Sequence, residues 1–207
     1  MSLVLGRAGW ARPDRRPEAL AQVRAVRDFA RALREAGRAA PAGLQLDVEP
    51  YVLPEWERAW PGLAETYLDL LVAVRTELAG ELPLQVDLPV WWDQRTIRRA
   101  GRSLSLSRAA MEQADQAVLM DYRNRADGIL AGARDGLGIA RDLGRPVVIG
   151  LAVHCGPEPE NPRTSFCRLG SRTFLQVLGQ VDRRLEGQPG LGGFAVFTYE
   201  DWRDLRP

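Results

Sequence analysis

Apolar residues recur along this chain at helical and extended spacings in turn, and that alternation restricts its fold more than any single motif. Pro17 to Arg38 places Leu20, Val23, Val26, Phe29 and Leu33 three and four apart, the stripe of a helix with Pro17 in its first turn. Leu44 to Tyr51 follows with a strand pattern, then Leu63, Tyr67, Leu70, Val74 and Leu78 mark a second helix closed by Gly80. Leu82 to Trp92 reads as a strand, Ser105 to Ala114 as a short helix, and Ala117 to Tyr122 as a strand. Ile129 to Leu143 is helical and ends at Gly144, and Pro146 to Val153 is a β-branched run suited to a strand covered on both faces. A helix from Phe174 to Leu185 and a strand from Gly193 to Tyr199 complete the series, and Leu3 to Gly6 is the end of one more strand. Strands and helices in alternation imply parallel strands joined by right-handed crossovers, so the class is α/β. A full eight-stranded (β/α) barrel usually needs about 250 residues. At 207 residues the expectation is one TIM-barrel-like domain over 1–207 with about six strands, matching strands three to eight.

Composition removes several chemistries. All 28 basic residues are Arg and none is Lys, which rules out Schiff-base aldolases, pyridoxal-phosphate enzymes and Walker-type phosphate loops. His154 is the only histidine, so a multi-histidine metal site is not expected, and no cofactor is expected. The net charge is +1, without the field that recruits nucleic acid or an anionic membrane. No apolar run approaches the roughly twenty residues of a membrane span, and Met1 to Trp10 lacks a signal-peptide pattern, which leaves the compartment open. Cys155 and Cys167 can pair across a loop, but two thiols make neither a disulfide framework nor a metal knuckle.

Chemistry is concentrated at the strand ends. Leu44, Leu46 and Val48 share one strand face, and Gln45, Asp47 and Glu49 share the other. With the apolar face against the helices, the polar trio points inward, and Glu49 lies nearest the carboxyl end, where barrel sites form. Two carboxylates one strand repeat apart in a low-dielectric pocket cannot both ionise cheaply, so one is pushed toward its protonated form. An acid beside a carboxylate is what glycosidic-bond cleavage needs.

Gly43-Leu44-Gln45-Leu46-Asp47-Val48-Glu49 resembles the acidic strand-four motif of chitinase-type glycoside hydrolases, family eighteen. Met120-Asp121-Tyr122 is similar to that family's Met-x-Tyr at strand six, and Gly192-Gly193-Phe194-Ala195-Val196-Phe197 resembles its strand-eight ending. The chain also looks like bacterial barrel proteins of unassigned activity that carry an Asp-x-Glu-Pro-Tyr strand end. The resemblance covers about residues 40–202 and implies that the first strand–helix units are missing. It further implies that Glu49 protonates the leaving oxygen, that Asp47 orients a substrate N-acetyl group for attack on the anomeric carbon, and that Tyr122 hydrogen-bonds its carbonyl. Three positions depart from the pattern: Gln45 replaces the first acid, Arg123 replaces the acid after the tyrosine, and Phe197 replaces a tryptophan.

The remaining rim residues carry functional and structural readings side by side. Asp87 shares an inward face with Gln85 and either binds a sugar hydroxyl, tunes Glu49, or is a hydrogen-bonded structural carboxylate. Trp56, Trp60, Trp91, Trp92, Tyr199 and Trp202 lie at or after strand ends, where aromatic rings stack on sugar faces. Trp60 otherwise packs a helix, and Trp91 and Trp92 cannot both face one pocket from a strand. The expected substrate-facing set is Gln45, Asp87, Trp91, Phe197 and Tyr199. His154 reads as a satisfied loop residue or a proton shuttle, and the arginines at 24–38 and 95–102 read as solvated faces.

Three functions fit. The first is a glycosidase acting through Glu49, Asp47 and Tyr122. The second is a catalytically silent carbohydrate-binding or scaffold barrel, and the third is a hydrolase holding a divalent ion on Asp47, Glu49, Asp87 and His154. The expected partner is a carbohydrate or other small ligand, with no nucleic acid and no membrane. An exposed sheet edge is a template for pairing, so either a homodimer covers it or the natural chain is longer.

Overall fold

A computed structural model describes residues 1–155 and 163–207. The strands are β1 (Leu3–Leu5), β2 (Leu44–Leu46), β3 (Leu84–Pro89), β4 (Thr96–Arg99), β5 (Arg102–Ser105), β6 (Gln116–Met120), β7 (Val147–Ala152) and β8 (Leu191–Phe197). The helices are α1 (Arg16–Glu35), α2 (Trp56–Leu78), α3 (Leu106–Met111), α4 (Ala126–Leu143), α5 (Gly170–Arg184) and α6 (Tyr199–Arg203). Six strands belong to one sheet in the order β1-β2-β3-β6-β7-β8, and β4 and β5 form a separate two-stranded sheet. The main sheet is parallel in every register described, as the alternation of elements predicts. The chain divides into two compact units, residues 1–87 with 94–117 and residues 88–93 with 118–207.

In the first unit, α2 buries Leu63, Tyr67, Leu68, Leu70, Leu71, Val74 and Leu78. Each side chain removed from water contributes about 1.5–3 kcal/mol. This helix begins at Trp56, earlier than the apolar stripe indicates, and runs through Pro61. Trp56 is buried; Trp60 packs on it at 6.3 Å and takes the Arg95 guanidinium over its ring at 5.2 Å. The left-handed turn that ends α2 starts at Ala79, one residue before Gly80. The stripe of α1 is narrower than its spacing suggests: Val23 is buried while Phe29 is 53% exposed.

The arginines of α1 are not simply solvated. Arg24 and Arg27 donate to Glu77, and Arg31 donates to Glu81. Such solvent-screened surface pairs orient the helix more than they stabilise it. The 95–102 segment, read as a solvated run, is the β4–β5 hairpin, turned by Ala100 and Gly101, both at positive φ. Its Arg99 reaches Glu65 and Asp69, Arg102 pairs with Glu112, and Ile97 is buried.

In the second unit, β7 is covered as its composition predicts, with Val147, Ile149, Leu151 and Ala152 buried. α4 ends at Gly144, which takes the left-handed conformation. Phe174 of α5 packs between Phe166 and Trp202, with ring centroids 5.0 Å and 4.9 Å away. Cys155 and Cys167 form a disulfide. Among the described residues no helix is long and apolar enough to cross a membrane.

Candidate active site

The first unit gathers a group of acids where β1, β2 and β3 end. β2 stops at Leu46, yet the Asp47 N–H still donates to the Leu5 carbonyl at 2.8 Å. That approach requires glycine at position 6, since a Cβ there would stand 1.8 Å from the Asp47 carbonyl oxygen. Strand alternation then buries Leu44, Leu46 and Val48 and leaves Gln45, Asp47 and Glu49 half-buried on the other face. Gln45 and Gln85 are register partners, and Gln85 Nε2 donates to Gln116 Oε1 at 2.7 Å. Two residues further along their strands come Asp47 and Asp87.

Gln45 Nε2 donates to both oxygens of Asp87, at 2.9 Å each, and Asp87 is 6% exposed. Asp87 is therefore a hydrogen-bonded carboxyl within the acidic group. Burial pushes it up to about 7; the Gln45 amide opposes this, and the charges of Asp47 and Glu49 add to it. Burial, then the charge of Glu49, pushes Asp47 up to about 6. Asp47 Oδ1 is buried with no hydrogen-bond partner among the described residues. Adjacent desolvated carboxyls titrate as a group, so this cluster keeps a proton close to neutral pH. Glu49 accepts a hydrogen bond from the Tyr51 hydroxyl at Oε1, which fixes the orientation of its carboxyl. Tyr67 of α2 is fully buried; desolvation and the charges of Asp87 and Asp47 push its phenol upward, so it stays neutral.

The second unit holds a different group. Tyr122 follows β6 and stacks on Phe197 at the end of β8, with centroids 6.0 Å apart and planes at 26°. The intervening Asp121 lies on the opposite face, fully buried. Burial pushes it up to about 6 against the hydrogen bond from Arg123. Arg123 thus folds back onto its neighbour, and its charge is paired toward α4. Gly132 of α4 makes the room: a Cβ there would stand 2.3 Å from Arg123 Nη1 and 2.5 Å from Asp121 Oδ1. Nearby, His154 Nδ1 lies 3.0 Å from Asp201 Oδ2.

The residues expected at the site are thus found in two groups. Gln45, Asp47, Glu49 and Asp87 form one, and Tyr122 and Phe197 form the other. Trp91 lies in a single-turn helix over Val90–Gln94, not in a strand, and packs edge-on against the buried Trp92 at 6.2 Å. β3 ends at Pro89, so strand alternation does not govern this tryptophan pair. Tyr199 opens α6 and is 70% exposed. Sequence reasoning missed Tyr51 and Tyr67 as neighbours of the acids, and Asp201 as the partner of His154. The signal for Tyr67 was a hydroxyl within an otherwise apolar helical stripe; the other two required folded geometry. Among the described residues no three His, Cys, Asp or Glu side chains are grouped so that they could hold a metal ion.

No family model matches the chain, and no curated protein matches its sequence. Solved structures do. The glycoside hydrolase family 18 N-acetylglucosaminidase from Paenibacillus barengoltzii is 13% identical, with 99% of this chain and 79% of that one covered, at a TM-score of 0.54. The family 18 chitinase from Cycas revoluta, solved with (GlcNAc)4, is 13% identical over 99% and 78% of the two chains, at 0.52. The spore cortex-lytic enzyme SleL from Bacillus cereus is 15% identical over 98% of this chain, at 0.51. The chain spans 57% of that enzyme and 51% of its Bacillus megaterium counterpart. At these identities the likeness is one of fold: an α/β chain of six sheet strands built like part of a family 18 barrel.

Proposed function

We propose that the protein is a glycoside hydrolase that cleaves a carbohydrate by carboxyl acid–base catalysis, with Glu49 as the acid and Asp47 as its partner. The observation that supports it most is the acidic group itself: Asp47, Glu49 and Asp87 interact at the carboxyl ends of β2 and β3, with Asp47 and Asp87 pushed toward neutral pH by burial. This is the end of the strands where barrel enzymes place catalytic side chains.

The proposed reaction needs no protein nucleophile. Glu49 transfers a proton to the glycosidic oxygen as the C1–O bond breaks, and the carbonyl oxygen of a 2-acetamido group on the same sugar bonds to the anomeric carbon. Asp47 orients that acetamido group through its N–H. Water then attacks the anomeric carbon and breaks its bond to the acetamido oxygen, Glu49 takes the water's proton, and the acid is restored. Asp87 and Gln45 shape the acidic group.

A second reading, a catalytically silent carbohydrate-binding barrel, is favoured by Arg123, which is turned onto Asp121 where the resemblance expects an acid. The deciding experiment is product release from aryl glycosides and N-acetylglucosamine oligomers, wild type against Glu49→Gln. Turnover lost in a variant of unchanged Tm supports the hydrolase. Sugar binding without turnover, equal in both proteins, selects the silent barrel.

A further inference from the structure

Asp201 receives hydrogen bonds from three directions. Thr198 Oγ1 donates to Oδ2 at 2.5 Å, His154 Nδ1 meets the same oxygen at 3.0 Å, and the Cys155 backbone N–H also reaches the carboxylate. The Asp201 N–H returns a bond to Thr198 Oγ1 at 3.3 Å, which locks the start of α6. The Thr198 and His154 hydrogen bonds hold Asp201 below the ordinary carboxylate range, so it is ionised and can only accept. The proton between the two residues therefore belongs to His154 Nδ1, an assignment that leaves Nε2 as the acceptor of the Nδ1–H tautomer.

The ring's surroundings indicate what that acceptor faces. His154 is about half exposed, and Nε2 meets no partner among the described residues. The ring lies edge-on to Phe197, centroids 6.0 Å apart at 66°, and Phe197 is itself 47% exposed and stacked on Tyr122. At that exposure Nε2 is open to solvent, so a ligand hydroxyl can take the place of a water on it. His154 thus sets an oriented acceptor beside an open aromatic face. A molecule that matches both has a flat apolar face ringed by hydroxyls, which describes a pyranose.

We propose that His154 is a ligand-binding residue, fixed in its Nδ1–H tautomer by Asp201, whose Nε2 accepts a hydrogen bond from a sugar hydroxyl on a ring lying against Phe197. The assignment rests on the carbohydrate reading above, and Asp201 acts through His154 as a positioning residue. No substitution at His154 or Asp201 is expected to leave binding unchanged.

Two measurements test it. Long-range 15N–1H spectra of the full chain report the tautomer without any ligand: a protonated Nδ1 in wild type is expected, and a protonated Nε2 overturns the proposal whatever the protein hydrolyses. The same spectra are then followed during titration with N-acetylglucosamine tetramer, cellotetraose and a soluble peptidoglycan fragment. The expected result is a shift of the His154 Nε2 and Hε1 signals with at least one of them. His154→Phe should then weaken that probe about five- to tenfold, the loss of one hydrogen bond, and His154→Gln, which keeps an acceptor, should recover most of it. Probe-induced shifts at Phe197 with none at His154 overturn this assignment and leave the carbohydrate reading standing. Shifts at neither residue with any probe overturn both.

Discussion

The Gln45 amide spans two neighbouring strands to donate to both oxygens of Asp87, at 2.9 Å each. A carboxyl with 6% exposure is kept hydrogen-bonded by a residue standing where the family resemblance expects an acid. The consequence is a buried group whose protonation and whose contribution to stability are tied together.

Asp87 and Asp47 bind protons more tightly in the folded chain, at about 7 and about 6, than carboxyls in the unfolded chain at ~3.9. The folded state holds the extra protons, so these two groups make stability fall as pH rises from about 4 to about 7. Asp87→Asn removes the larger part of that cost. It should exceed wild type by on the order of 2–4 kcal/mol at pH 8, with the difference vanishing by pH 4, in urea unfolding at each pH. A difference independent of pH would show that Asp87 does not titrate abnormally.

Tyr51 orients Glu49 through its hydroxyl. If Glu49 is the acid, Glu49→Gln should lower kcat by about 10²–10⁴. Tyr51→Phe, which removes one hydrogen bond, should lower kcat about tenfold with KM little changed. Steady-state kinetics on an aryl glycoside separates the two, and a Tyr51→Phe effect confined to KM would place the tyrosine on the substrate instead.

Gly132 and Gly138 lie on the same helix and should respond oppositely to alanine. A Cβ at 138 meets nothing within 4 Å, so Gly138→Ala should gain about 0.5–1 kcal/mol of helix propensity. A Cβ at 132 collides with the Asp121 carboxylate and the Arg123 guanidinium, and Gly132→Ala should lose about 2–3 kcal/mol despite the same propensity gain. Thermal unfolding of both variants checks the sign; stabilisation at 132 would show that the Arg123 side chain can withdraw toward solvent.

The Cys155–Cys167 bond closes a short loop. Reduction, or Cys155→Ser with Cys167→Ser, should cost about 2–3 kcal/mol through the greater freedom of the unfolded chain. Thiol titration of the untreated protein should find no free cysteine, and two reactive thiols before reduction would remove this cross-link from the account.

Much of the architecture was legible because period is a local property. Helices α1, α2, α4 and α5 and the six strands of the main sheet lie where apolar spacing indicates, since each element must present one apolar face to its neighbours. The face assignments of β2 and β3 follow from alternation alone, and they put Gln45, Asp47, Glu49 and Asp87 on one side. The β4–β5 hairpin was not legible: Ala100-Gly101 is a weak turn signal, and arginines at alternate positions resemble a solvated run until Glu65, Asp69 and Glu112 are seen to receive them.

By itself, then, the sequence determined the class of fold, the parallel strands and the one strand face shared by Gln45, Asp47 and Glu49, because these depend on the spacing of side chains along one chain. It also excluded every chemistry that needs a lysine. Only the tertiary structure decided which carboxyl Gln45 holds, that Arg123 turns onto Asp121 beneath Gly132, and that Asp201 fixes His154. The Gln45 and His154 pairings join residues far apart in the chain, and Arg123 turns onto a near neighbour only because Gly132 of α4 leaves the room; such burial and hydrogen bonding are set by packing, which no local pattern encodes.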